Sequence, residues 1–190
     1  METDILVKKL KNGDQEAFNE FVKLYSKKLY YLCLKILQNE TDAEDTVQNV
    51  FVKAYLNINK FEGKSSLSTW LYRITVNVCN DFLRKKKRET TVPLYNTDDE
   101  DKEYELGLSD EKENVEAKII ENERKAELHK AIGKLKPKHK ELIVLRDLEG
   151  LSYEEIAKVL KINVGTVKSG INRARAALLE KLKEKEDLFR

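Results

Sequence analysis

The run LSYEEIAKVLKINVGTVKSGINRARAAL, residues 151–178, limits this chain more than any other stretch, because its spacing fits two helices joined by a tight turn. Ser152 with Glu155 three residues on is a capping box, so a helix begins there. Ile156, Ala157, Val159 and Leu160 supply its apolar side, and Asn163 is a good N-cap for a second helix from Val164 to about Lys181. At about 100° per residue, Val167, Ile171, Ala174 and Leu178 share one stripe of that second helix, while Thr166, Ser169, Asn172 and Arg173 point roughly the opposite way. The pattern is that of a helix-turn-helix, over about 153–172, whose second helix enters the DNA major groove. Taken alone it also fits a surface αα-hairpin with a solvated polar face. The turn position that glycine often fills is Lys161, and a non-glycine residue at positive φ costs about 1 kcal/mol there.

The rest of the composition agrees with helices. Seven glycines and two prolines in 190 residues, with 37% charged residues, predict an all-α fold, and no strand-type alternation stands out. The N-terminal METDILVKKLKNGD lacks the apolar run of a signal peptide, and no stretch approaches the roughly 18 apolar residues of a membrane span. A cytoplasmic protein without direct membrane insertion is expected. Cys33 and Cys79 lie inside apolar helical patterns and read as core residues rather than a disulfide framework. His129 and His139 have no partners at metal-ligand spacing, so neither a metal nor a cofactor is expected.

The net charge of +2 conceals a division. Between Glu89 and Glu116 eleven acidic residues face two lysines, a local net charge of −9 that leaves +11 on the remainder. Two basic, nucleic-acid-facing lobes on an acidic tether fit this distribution, although a solubilising disordered linker would carry the same charge. The expected organisation is two small helical domains, 1–90 and 115–190, joined by an acidic flexible linker at 91–114.

In the first half, Phe18, Phe21, Val22, Tyr25, Leu29, Leu32 and Ile36 recur at helical spacing between Asp14 and Leu37. A second helix is predicted from Thr41, capped through Glu44, to about Asn57, with Val47, Val50, Phe51 and Ala54 inward. The connection NKFEGKSSLST is a loop rich in small hydroxyl groups. A third helix follows from Leu67 to Arg88, with Leu67, Trp70, Leu71, Ile74, Val78 and Phe82 on its inner side. Thr69, Arg73, Asn77, Asn80 and Arg84 line one flank, which the run Arg84 to Arg88 continues. Amides and guanidiniums followed by five cations suit base edges and phosphates, although charge runs are usually only solvated faces.

Both halves together resemble the extracytoplasmic-function group of bacterial sigma factors, the promoter-recognition subunits of RNA polymerase. The resemblance rests on TDAEDTVQNVFVKAY and FEGKSSLSTWLYRITVNVCNDFLRKKKR in the first half, and on LKPKHKELIVLRDLEGLSYEEIAKVLKINVGTVKSGINRARAAL in the second. It implies that the helix from Asp42 to Tyr55 docks on the clamp coiled coil of core RNA polymerase through Asp42, Asp45 and Gln48, with Asn49 where a glutamate is common. It further implies that Phe61, Ser65, Thr69, Arg73, Asn77, Asn80 and Arg84 open and read the minus-ten element. A strand-separated base can be captured by such a polar loop, with Phe61 and Trp70 available for stacking or for supporting the loop. Core packing is the better reading of Trp70. Thr166, Lys168, Ser169, Asn172, Arg173 and Arg175 fall to minus-thirty-five recognition, and Gly170 stands where the family often has an arginine, which removes a phosphate contact. Promoter DNA and an anti-sigma factor, often membrane-anchored in this family, are the implied partners.

Two other functions compete. A stand-alone dimeric helix-turn-helix regulator would leave the DAEDTVQNVF helix and the Arg73 to Arg84 flank without a task. A two-metal nuclease built on Asp98, Asp99, Glu100 and Asp101 lacks a scaffold that could make four consecutive acids converge. No catalytic residue is assigned.

Overall fold

A computed structural model describes residues 2–89 and 115–183. The acidic stretch 91–114, with Asp98 to Asp101, lies outside the described residues. Within them the protein is helical throughout: α1 (Glu2–Lys11), α2 (Gln15–Leu37), α3 (Glu40–Asn57) and α4 (Leu67–Glu89) form the first half. In the second half are α5 (Val115–Gly133), α6 (Pro137–Ile143) with a π-helical extension (Val144–Leu148), α7 (Tyr153–Leu160) and α8 (Val164–Leu182).

The caps explain where the chain turns. Asp14 accepts the Ala17 amide at 2.9 Å and opens α2. The N-cap of α3 lies two residues earlier than the sequence predicts, because Asn39, not Thr41, takes that place and accepts the Asp42 amide at 2.9 Å. Asn39 wins because it directly follows Gln38, which ends α2 at φ 58°, so the two helices meet with no spare residue. Ser66 opens α4, its hydroxyl accepting the Thr69 amide at 3.1 Å. Helix α1 leaves no such mark in the sequence. Its ten residues are too few to show a clear period, and Leu6 and Leu10 become buried only against the rest of the half. Lys11 then donates to the Phe61 carbonyl at 2.7 Å, tying the N-terminus to the loop before α4.

Helices α2, α3 and α4 pack on one another through Phe21, Leu29, Leu32, Val50, Phe51 and Leu71, all buried. Cys33 and Cys79 are buried free thiols in this core. Trp70 is buried and packs on Phe61 with ring centroids 5.5 Å apart, so both aromatics support the loop instead of offering a free stacking face. In the second half the capping box is complete, with Glu155 accepting the Ser152 amide at 2.9 Å and Ser152 accepting the Glu155 amide at 3.1 Å. Lys161 turns the chain at φ 54°, ψ 47°, and Asn163 caps α8 by accepting the Thr166 amide at 2.7 Å.

That left-handed turn supports a stability prediction. Lys161→Gly should raise the unfolding free energy by about 1 kcal/mol in denaturant titrations, since glycine takes this conformation without strain. A loss of stability would mean that the lysine side chain contributes more than the strain it introduces.

The two halves are not separate. Their buried apolar residues form one contiguous cluster, and α7 lies along α4. Polar contacts cross the seam: Tyr72 donates to Glu149 at 2.8 Å, Lys35 to the same carboxylate at 2.7 Å, and Thr69 to Glu155 at 3.3 Å. Lys158 reaches the Lys64 carbonyl at 3.3 Å and Lys140 the Ile36 carbonyl at 3.4 Å. Burial raises the Tyr72 hydroxyl above its ordinary pKa, with Glu149 adding to the shift, and keeps it a donor. Burial also lowers the Lys140 ammonium and raises the Glu141 carboxyl.

Candidate nucleic-acid and polymerase interface

Helix α8 carries the first candidate surface. Val167, Ile171 and Ala174 are buried beneath it, Leu178 is half-buried, and Thr166, Lys168, Ser169, Asn172, Arg173 and Arg175 are exposed. A recognition helix needs this division, one side held by the core and the other open to a groove. The six side chains are not equally free. Thr166 bonds the cap Asn163 at 2.8 Å, Arg175 is held by Asp147, and Arg173 folds back on Ser169 with its Nε 3.2 Å from the carbonyl. Lys168 and Asn172 have no such partner among the described residues.

Gly170 departs from its sequence reading. It is buried, and a Cβ built there would stand 2.7 Å from Leu142 Cδ1 of α6. The residue lets α8 approach α6 closely instead of marking a missing phosphate contact. Gly170→Arg should therefore cost about 2 kcal/mol of stability through overpacking, measured by chemical unfolding. Unchanged stability with tighter DNA binding would put this position on the DNA side after all.

The second surface is the loop before α4 and its flank. Ser65, Arg73, Asn77 and Arg84 reach solvent, and Arg84 is paired with Asp81. Three other predicted minus-ten residues are less accessible. Thr69 is only 4% exposed, its hydroxyl 2.8 Å from Ser66 and within reach of Glu155; Phe61 is buried; and Asn80 is half-buried. At Thr69 the physical reason is the seam, where α7 of the second half lies on α4, and the sequence carried no sign of how the halves sit together; Phe61 is buried in its own half against Trp70. The amide and hydroxyl of Ser152 hold the Glu155 carboxyl below its usual range, so it stays an acceptor for Thr69. The basic run is also partly engaged, since Lys86 reaches Asp42 at 2.9 Å and Lys85 reaches Glu89 at 3.8 Å.

The third surface is the outer face of α3. Asp45 and Gln48 are exposed, whereas Asp42 is half-buried and committed to Lys86, a link between α3 and α4. Asn49 bonds the Asp45 carbonyl at 3.0 Å. The same face continues into apolar side chains that the sequence did not bring forward: Val52, Tyr55 and Leu56 are 56%, 44% and 70% exposed. At about 100° per residue, Asp45, Gln48, Asn49, Val52 and Leu56 fall within one face about 100° wide. The spacing of Gln48, Val52 and Leu56 by fours was the available signal. An exposed apolar stripe edged by polar side chains is characteristic of a protein-binding surface.

An all-helical chain with a helix-turn-helix in one half, and a polar loop and cationic helix in the other, has the make-up of a promoter-recognition factor. Comparison with known proteins identifies the parts: residues 21–89 match Sigma-70 region 2, and residues 125–178 match Sigma-70 region 4. The chain is 39% identical over 184 residues to the ECF RNA polymerase sigma factor SigW of Bacillus subtilis, covering 94% of this chain and 95% of that one. Among solved structures it is similar to CnrH in complex with the cytosolic domain of CnrY, with a TM-score of 0.67, 28% identity and coverage of 96% and 97%. It is likewise similar to the sigma factor RpoE in complex with the anti-sigma factor NepR from Bartonella quintana, with a TM-score of 0.67, 27% identity and coverage of 87% and 96%. The chain belongs to the extracytoplasmic-function family of RNA polymerase sigma factors and is a promoter-recognising transcription initiation factor. Among the described residues no helix is long and apolar enough to cross a membrane.

Proposed function

We propose that α3 docks this factor on core RNA polymerase through Asp45, Gln48 and the adjoining apolar stripe. The loop and flank of α4 then capture the opened minus-ten strand, and α8 reads the minus-thirty-five element. The observation that carries this reading is the one-sided burial of α8, with Lys168, Ser169, Asn172 and Arg173 exposed above a buried stripe. The organisation follows the domain limits 1–90 and 115–190, and the protein works in the cytoplasm with no catalytic step of its own. An anti-sigma factor is the third partner, supported by the similar RpoE structure, which holds a sigma factor against an anti-sigma factor.

Full use of the minus-ten residues requires α7 to leave α4, since the packed seam covers Thr69 and ties its hydroxyl to Glu155. The test is transcription in vitro with core polymerase. Asn77, exposed at the rim of the seam, is the residue to change. Asn77→Ala should impair initiation on a duplex promoter more than on one with a pre-melted minus-ten region, because part of its role is to replace lost pairing and stacking. Equal loss on both templates would reduce Asn77 to a phosphate anchor.

A further inference from the structure

A hollow of about 340 Å³ opens where the two halves meet, within the size range of small-ligand sites. Four cations from separate places in the chain line it: Lys53 of α3, Lys60 just beyond that helix, Arg73 of α4, and Lys161 at the turn of the helix-turn-helix. Asn57 and Asn77 add amides, and no carboxylate lines the wall. Lys53 reaches Asp81 at 3.5 Å, and Lys60 bonds only the neutral Asn57 at 3.0 Å. No ion pair among the described residues engages Arg73 or Lys161. Gathering like charges around one concavity is repulsive and focuses a positive potential there, which an anion would relieve.

Lys161 adds a second observation. It occupies the left-handed turn at φ 54°, a conformation that glycine adopts without strain. The chain thus keeps a lysine where the backbone conformation favours glycine, and its ammonium lines the hollow. Backbone strain retained at such a place points to a role for the side chain.

We propose that this hollow binds a small oligophosphate anion of the triphosphate class. Its phosphates bridge Lys161 of the second half to Lys60 and Arg73 of the first, and so hold the two halves in their packed arrangement. Because Arg73 and Asn77 line the same hollow, the bound anion and the minus-ten strand exclude one another. The phosphate chain is the recognised part. Trp70 also lines the hollow, but it is 5% exposed and already packed on Phe61, so it offers little stacking surface to a base.

The test is calorimetric titration of inorganic tripolyphosphate into the full chain at low salt, without DNA or polymerase, so that its result is independent of the promoter-binding assignment. Saturable one-to-one binding is expected, accompanied by a higher melting temperature. Lys161→Gly removes the cation while easing the backbone, so a folding defect cannot explain its effect. This variant and Lys60→Ala should each weaken binding at least about tenfold, in line with losing a charge-assisted contact. Lys64→Ala, whose ammonium pairs with Glu62 away from the hollow, should leave binding unchanged. A parallel titration with ATP separates the sources of the phosphate chain. Affinity equal to tripolyphosphate supports recognition of phosphates alone, and tighter binding supports a nucleotide as the occupant. Absence of saturable binding, unchanged affinity in Lys161→Gly, or equal losses in all three variants would overturn the proposal, the last because diffuse surface charge would then explain the attraction.

Discussion

Replacing Asp45 and Gln48 together by alanine should weaken binding to core RNA polymerase about thirtyfold, a loss of about 2 kcal/mol at about 1 kcal/mol for each polar contact. Folding should be unaffected, because both side chains are exposed on the outer face of α3. Helicity and melting temperature are therefore expected to match the parent. The neighbouring stripe sharpens the expectation: with Val52 and Leu56 exposed on the same arc, the apolar contact persists in the double variant, so affinity falls without vanishing. Asp42 is the contrasting case. It holds Lys86 at 2.9 Å, so its replacement disturbs the link between α3 and α4 and does not report cleanly on polymerase. A fluorescence titration of labelled factor with core enzyme measures the difference, and undiminished affinity of the Asp45 and Gln48 variant would remove α3 from the interface.

Arg173→Ala should cost about 1 to 3 kcal/mol of promoter affinity in holoenzyme and relax preference at one minus-thirty-five position, as expected where arginine bonds guanine in the major groove. In the free protein Arg173 rests on Ser169 of its own helix, an exposed contact at 3.2 Å that DNA can replace at little cost. Lys168→Ala should weaken binding to all sequences alike and reduce the slope of log affinity against log salt by about 1. Both variants measured on matched and mutated promoters separate the roles. If Arg173→Ala lost affinity uniformly while Lys168→Ala changed base preference, α8 would present a different face to the groove from the one assigned.

Much of this was legible in the linear chain because it depends on near neighbours. The capping box of Ser152 with Glu155, the cap at Asn163, the left-handed Lys161 and the stripe of Val167, Ile171 and Ala174 are set by residues three or four apart, and each is found where its spacing puts it. The long helices α2 and α4 were equally clear, each repeating its apolar period over 23 residues. The resemblance to sigma factors came from the same local runs.

What escaped depends on residues far apart in the chain. Helix α1 is short and stays put because Leu6 and Leu10 find a core. Thr41 and Asn39 are both acceptable caps by type, and only the turn at Gln38 decided between them. Gly170 reads as a gap in a basic row until Leu142 is seen against it, 28 positions away. The sequence by itself determined the helices, their caps and the polar face of α8, because backbone hydrogen bonding and side-chain period act over one or two turns. Only the tertiary structure decided that α7 lies on α4, covering Thr69 and bringing Lys161 beside Arg73. That packing joins surfaces some 90 residues apart, and its energy comes from burial and from seam contacts such as Glu149 with Tyr72 and Lys35, which leave no periodic mark on the chain.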